Sequence, residues 1–158
     1  MALVVGTNSY LSVEDADAIV PLVYDEGSEE YKAWQSMDNS QKEVLLLRAT
    51  ALTETLPYLG SRVPGYQSMA WPRYVFGALY DVPPEIVKQG IVAYGLKYYV
   101  LHNGANAEYT NLHEQGVRTY SVSQASVSFR DDATSGGYNL KNGLYSDIFF
   151  TYFNKWCY

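Results

Sequence analysis

Three pairs of carboxylates, two histidines, one cysteine and a serine beside a glycine are the side chains whose types could do chemistry in this chain. Asp15 with Asp17, Glu29 with Glu30, and Asp131 with Asp132 could in principle divide acid and base roles. Neighbours this close on a helix do not face each other, so the pairs read as helix caps and solvated surface charge. Gly60-Ser61-Arg62 lacks the Gly-x-Ser-x-Gly spacing that presents a nucleophilic serine on a sharp turn. His102 and His113 flank loops with no Cys or His ligand set beside them, and read as surface histidines rather than zinc ligands. Cys157 excludes an internal disulfide and reads as incidental rather than reactive. No phosphate loop or dinucleotide fingerprint occurs. The chain is therefore expected not to be an enzyme, with no catalytic residue, no metal and no cofactor.

Arg73 offers another kind of chemistry. It follows Trp71-Pro72, a rigid pair that fixes the chain direction. A guanidinium there can grip a carboxylate through two parallel bonds or stack on an aromatic ring. It either clamps its own loop to the helices or meets a partner. The 16 tyrosines point the same way, because tyrosine supplies wide contact area with a polar tip and is favoured at interfaces. The alternative is that they replace Phe in a half-exposed core.

The formal net charge of −6 argues against a protein whose main task is gripping phosphates, which usually carries a basic face. The length of 158 residues and 47% hydrophobic content fit one globular domain with a proper core. No apolar run is long enough for a membrane span. The N-terminal Leu3-Val4-Val5 run has no basic region ahead of it, so no signal peptide is expected.

The elements follow from local signals. Ser12 caps a helix carrying Ala16, Ile19, Val20 and Val23, which Pro21 should end or kink. A short helix runs from Ser28 to about Met37, with Tyr31 and Trp34 on one face. Ser40 with Glu43 suggests a capping box for a helix whose buried face is Val44, Leu47, Ala51, Leu52 and Thr55, with Leu45 and Leu56 at its margin and Arg48 and Glu54 opposite. Residues 57–73 then read as a long ordered loop, too apolar to be a disordered linker. Val82-Pro83-Pro84-Glu85 opens a helix with Ile86, Val87, Ile91, Tyr94, Tyr98 and Leu101 as apolar positions, stopping at His102-Asn103-Gly104. Gly90 and Gly95 inside it each cost up to about 1 kcal/mol against Ala, which suggests close approach by a neighbouring helix or subunit.

Residues 117–129 change to a strand period. Tyr120 and Val122 alternate with serines, and from Ala125 the apolar parity switches, which suggests a bulge between two short strands, or one strand that changes partners. The partner should be the Leu3-Val4-Val5 run or another subunit. The last helix, from about Leu144 to Trp156, carries Ile148, Phe149, Tyr152, Phe153 and Trp156 as an aromatic stripe that either caps the core or docks onto a partner. The expected fold is mainly α, a small helical bundle with a long ordered loop, a short β segment and a C-terminal aromatic helix. One domain spans residues 1–158, with a helical core over about 9–104, the β segment over about 117–129 and the tail over about 144–158.

Several of these signals occur together in one family. Ser9-Tyr10-Leu11-Ser12-Val13-Glu14-Asp15-Ala16-Asp17, Trp34, Gln41-Lys42, Leu47-Arg48-Ala49-Thr50, Gly60-Ser61-Arg62, Gln67-Ser68-Met69-Ala70-Trp71-Pro72-Arg73 and Val82-Pro83-Pro84-Glu85-Ile86 stand in the order of that pattern. Over residues 9–101 the chain resembles the small tailed-phage head–tail connector, or head-completion, adaptors, many of which are labelled DnaT-like single-stranded-DNA-binding proteins. The stretch after Pro21 and the aromatic C-terminus depart from the family pattern. The resemblance implies a structural virion protein at the neck: a ring of self-copies, typically twelve, beneath the portal protein. Such a ring carries the DNA channel on toward a tail or head-closure (stopper) protein. DNA would pass without sequence-specific binding, and no membrane is involved. Under this reading Trp71 and Arg73 brace the core or meet a neighbouring subunit, and Tyr120 and Val122 pair across subunits. Phe149, Tyr152, Phe153, Trp156 and Tyr158 would anchor to the portal. The rival reading is a DnaT-like single-stranded-DNA-binding replication protein, with tyrosines stacking bases and Arg62, Arg73, Lys88 and Lys97 as scattered cations.

Overall fold

The computed structural model describes residues 2–63, 69–103, 119–122, 125–128 and 145–158, the two strands within 119–128 by their backbone only. Helix α1, Val13–Val23, begins at a reciprocal cap: Ser12 Oγ accepts from the Asp15 N–H, and the Asp15 carboxylate accepts from the Ser12 N–H. These bonds, the backbone one first, hold the Asp15 carboxyl below its ordinary range. Ala16, Ile19 and Val20 form the buried face, and Pro21 sits in the last turn. The helix ends at Val23 because proline brings no N–H and crowds the turn before it.

Helix α2, Glu29–Ser36, starts at Ser28, whose hydroxyl accepts from the Tyr31 N–H. Helix α3, Asn39–Thr53, starts one signal earlier than the sequence suggested: Asp38 and Gln41, not Ser40 and Glu43, make the capping box. Both pairs have the right spacing, and the acidic cap is the one adopted. Asp17 joins these elements. Its Oδ1 accepts from the Trp34 indole at 2.7 Å and from Lys42 at 3.0 Å, with the Lys42 ammonium 4.8 Å from the Trp34 ring. Trp34 is fully buried.

The buried face of α3 also differs from the expected one. Leu45, Leu46, Ala49, Thr50 and Thr53 face inward, while Val44 is 54% exposed. The run from Val44 to Thr53 is apolar on nearly every side, so its periodicity names no direction. Packing decides instead. A Cβ on Gly95 would lie 2.9 Å from the Ala49 Cβ and 2.8 Å from Leu45 Cδ2, so the small side of α3 meets the small side of its neighbour. Thr53 enters the core because its hydroxyl donates back along the helix; the Ala49 and Thr50 carbonyls are both within reach, at 2.9 and 3.0 Å.

That neighbour is helix α4, Glu85–Asn103, where every residue from Gly90 to Leu96 is buried. It is wrapped by α1, α2, α3 and the C-terminal segment. Of its expected apolar positions, Val87, Ile91 and Tyr94 are buried, Tyr98 and Leu101 half-buried, and Ile86 exposed. The close approach that the glycines implied is present at both, since a Cβ on Gly90 would stand 2.7 Å from Tyr152 Cβ and from the Phe153 ring.

Part of the expected loop is sheet. Strands β1 (Ser61–Arg62), β2 (Arg73–Val75) and β3 (Ala78–Tyr80) form a three-stranded antiparallel sheet in that order. The correction arises because β1 is two residues long, below what alternation can signal. Strands β4 (Thr119–Val122) and β5 (Ala125–Ser128) pair with each other, Tyr120 opposite Val127 and Val122 opposite Ala125. The strand segment therefore finds a partner within itself rather than in the Leu3-Val4-Val5 run. The parity switch is explained too, because this register sets even positions against odd ones.

The C-terminal helical stretch changes pitch along its length. It runs from α5 (Ser146–Ile148) through a π-helical turn (Phe149–Phe153) into a 3₁₀ turn (Asn154–Trp156). The chain beyond it lies against residues 57–59: the Leu59 N–H donates to the Trp156 carbonyl at 2.8 Å, and the Tyr158 N–H to the Pro57 carbonyl at 2.9 Å. The fold is mainly α with one core, running from Tyr10 and Leu11 through the helices to Phe149 and Phe153.

Candidate functional site

Arg73 opens β2 and is buried, and its guanidinium fans onto main-chain oxygens. Nε donates to the Leu59 carbonyl at 3.0 Å and Nη1 to the Ala70 carbonyl at 3.2 Å, while Nη2 reaches the Tyr58 and Gly60 carbonyls, each at 3.1 Å. This is the clamp reading of the two that the sequence left open. Five N–H donors in a rigid fork suit it, and a lysine could not make that fan. Gly60 has a φ of +78°, and a Cβ there would sit 1.8 Å from the Tyr74 carbonyl oxygen, so only glycine fits beneath the fork.

The same peptide links Arg73 to an acid. The Ala70 carbonyl accepts from Arg73, and the Trp71 N–H of that peptide donates to Tyr10 Oη at 3.2 Å. Tyr10 in turn donates to Glu54 Oε1, and Glu54 Oε2 accepts from the Ala70 N–H at 2.6 Å. Cation and carboxylate are thus coupled through one peptide and one phenol, a chain in which each bond polarises the next. Burial, then the bond to Glu54 and its charge, push the Tyr10 phenol far above its ordinary value of 10.0.

Trp71, joined to Pro72 by a cis peptide, is buried with its ring edge-on to Tyr58, Tyr80 and Trp156 at centroid distances of 5.7, 6.3 and 6.1 Å. Phe149 and Phe153 are buried against the core, while Tyr152 and Trp156 are half-buried on it. The aromatic stripe therefore caps the core of its own chain. Of the tail residues proposed for contact, Tyr158 alone is largely exposed, at 72%. Tyr120 and Val122 lie in the β4–β5 hairpin, opposite Val127 and Ala125. The structure thus gathers Trp71, Arg73 and Trp156 into one knot, with Trp71 and Arg73 buried and Trp156 half-buried.

Phe150 of the C-terminal stretch is exposed too, and further exposed apolar side chains lie on the β2–β3 hairpin. Phe76 is 91% exposed at the tip of the β2–β3 hairpin, with Tyr74 and Leu79, directly opposite one another, exposed behind it. Phe76 and Gly77 both have positive φ, +50° and +80°. A tight hairpin turn asks for this at both positions and favours Asn-Gly. A bulky residue held there costs on the order of 1–3 kcal/mol. Sequence reasoning missed this tip, although the signal existed: Gly77 follows Phe76 between the apolar runs of β2 and β3. A groove of about 500 Å³ lies between α3 and α4, lined by Val44, Leu45, Leu52, Tyr98 and Tyr99 among others.

Three of the described lysines are paired. Lys42, Lys88 and Lys97 pair with Asp17, Glu85 and Asp147. The exposed cations Lys32, Arg48, Arg62 and Lys155 stand on different elements. His102 is half-buried rather than on the open surface, stacked on the Tyr98 ring. Arg118, Arg130, Lys141, His113, Asp131 and Asp132 lie outside the described residues. Among the described residues no metal-ligating cluster occurs, and no helix is long and apolar enough to cross a membrane.

The model of a family described as "Putative DnaT-like ssDNA binding protein" matches residues 2–149. Neither a curated protein nor a solved structure matches the chain.

Proposed function

The chain belongs to this DnaT-like family, and from that premise we propose that it is a non-enzymatic assembly protein, a head-to-tail adaptor that joins copies of itself into a ring on a portal protein. In this reading it hands the DNA channel to a tail or head-closure component and resides at the neck of a virion. The observation that supports it is the fate of four of the described cations. Arg73 is spent on its own main chain, and Lys42, Lys88 and Lys97 face carboxylates, on a chain of net charge −6. An acidic conduit lets DNA slide without adhering. The exposed Phe76, Leu79 and Val82 supply apolar area for protein partners.

The second reading is single-stranded-DNA binding, and the family description supports it more directly than it supports an adaptor. Tyr74 and Phe76 are exposed aromatics of the kind that bases stack on. One paired experiment separates the two. Negative-stain imaging of the protein with its candidate portal should show added density under the portal. Filter binding to labelled single strands should show at most weak retention. Salt-sensitive retention at micromolar protein or tighter, with no portal density, would replace the adaptor reading with the DNA-binding one.

A further inference from the structure

The C-terminal segment, residues 145–158, fits the rest of the chain as a plug fits a seat. Tyr145, Ile148, Phe149, Phe153 and Cys157 are buried. The Tyr145 ring lies edge-on to Tyr94 at a centroid distance of 4.8 Å, and the Trp156 ring edge-on to Tyr80 at 5.3 Å. Asp147 pairs with Lys97 at 2.7 Å. The Leu59 and Tyr158 N–H groups tie residues 57–59 to the end of the chain. The seat is cut to the plug at Gly90, where a Cβ would stand 2.7 Å from Tyr152 Cβ and from the Phe153 ring. The plug in turn gives up regular helix, passing from an α turn through a π turn to a 3₁₀ turn. Irregular turns of this kind are set by packing rather than by helix propensity.

The connection between seat and plug is far longer than the fit requires. Helix α4 ends at Asn103, and the plug begins at Tyr145. Tyr94, which meets Tyr145, lies about 14 Å back along α4 from Asn103 at 1.5 Å per residue. A handful of residues would bridge that gap. Residues 104–144 stand there instead. Their β4–β5 hairpin returns on itself, and the remainder reaches on the order of 100 Å at about 3.3 Å per residue. Adjacent copies of a domain this size stand about 40 Å apart. The chain can therefore seat its plug on its own core or on a neighbour's, with the same bonds either way. Exchange would also give the aromatic stripe both roles that the sequence left open, since it caps a core and docks onto a partner at once.

We infer that in the assembled protein residues 145–158 of one copy dock on the α4 and 57–59 seat of the next. Plug and seat are different patches, so the contact is head-to-tail, and passed from copy to copy it closes into a ring. This deepens the adaptor reading and rests on its premise of self-assembly, naming the segment that carries it.

The test uses native full-length chains grown on light or on heavy nitrogen. The two are mixed in urea, refolded together and concentrated with the candidate portal, so that each plug chooses its seat afresh. A carbodiimide then joins Lys97 to Asp147 as an amide and takes up the water released. The pair suits the reagent, at 2.7 Å with the Asp147 side chain 69% exposed. Mass spectrometry of the digest reads whether the joined peptides carry one isotope or both. In an equal mixture about half of the Lys97–Asp147 cross-links are expected to be mixed, the random share for a plug seated on another copy. Lys42 and Asp17, 3.0 Å apart within α1–α3, should give same-isotope cross-links only. Same-isotope cross-links alone at Lys97–Asp147, or an equal mixed share at Lys42–Asp17, overturn the proposal. Rings on the portal with same-isotope cross-links would leave the adaptor reading standing without exchange. Mixed Lys97–Asp147 cross-links without portal binding would remove the adaptor reading and leave the exchange standing.

Discussion

Arg73 is held by geometry more than by charge, and that is testable at the level of one side chain. Its fork satisfies carbonyls of Tyr58, Leu59, Gly60 and Ala70. Arg73→Lys keeps the charge but strands several buried acceptors, each worth about 1–3 kcal/mol when left unpaired. A net loss of about 2–4 kcal/mol in urea unfolding is expected. A loss below about 0.5 kcal/mol, the level of an ordinary surface substitution, would show that the fork is dispensable. Glu54 belongs to the same network through Tyr10 and the 70–71 peptide. Glu54→Gln and Arg73→Lys should therefore be non-additive by about 0.5–3 kcal/mol in a double-mutant cycle, although the structure pairs Arg73 with carbonyls rather than with any carboxylate. Strict additivity would deny the relay.

Between elements, the decisive contacts are those of α4 with its small residues. Replacing Gly90 or Gly95 by Ala gains about 1 kcal/mol of helix propensity, but the new methyl would stand 2.7 Å from the Tyr152 Cβ or 2.9 Å from the Ala49 Cβ. Those neighbours cannot swing aside as a long side chain would, and overpacking costs about 1–3 kcal/mol. Both variants should therefore melt lower than the native protein, and a rise in Tm at either would refute the packing argument. These contacts also mark what the sequence made legible. Helix starts at Ser12, Ser28 and the Val82-Pro83-Pro84 run, and the two conspicuous glycines, could be read because caps and glycines act locally. The inward face of α3 could not, because Val44 to Thr53 is apolar nearly all round and Gly95 on another helix chooses the side. The β1–β3 sheet escaped for a related reason: its strands are two or three residues long, and tertiary clamps rather than alternation hold them. Arg73 announced itself by its neighbours, yet nothing local could say that its partners would be main-chain carbonyls.

Over the whole molecule, one core links the first residues described to the last. Tyr10 meets Glu54, Tyr24 donates to the Ala93 carbonyl at 2.8 Å, and Tyr58 pairs by its backbone with Cys157. Tail residues are thus structural before they are anything else: Phe153→Ala should cost about 3–5 kcal/mol in urea unfolding, so cutting the tail away tests folding before it tests docking. The shared burial also sets how the protein responds to base. Desolvation first, with nearby carboxylate charge second for Tyr24, raises the phenols of Tyr10, Tyr24 and Tyr58 above the ordinary value of 10.0. An unfolded chain would release these protons near that value, whereas the folded chain retains them. Their contribution to stability is therefore complete below about pH 10 and is lost progressively as pH rises above it, by about 1.4 kcal/mol per unit for each phenol. The urea midpoint should hold steady through mildly alkaline solution and then fall steeply above the free-phenol value. Tyr10→Phe should begin from a lower plateau, having lost its bond to Glu54, and decline less steeply because one such phenol is gone. A midpoint that stays level well above the free-phenol value would mean that these hydroxyls reach water in the folded protein, and the single core that joins both ends of the chain would have to be redrawn.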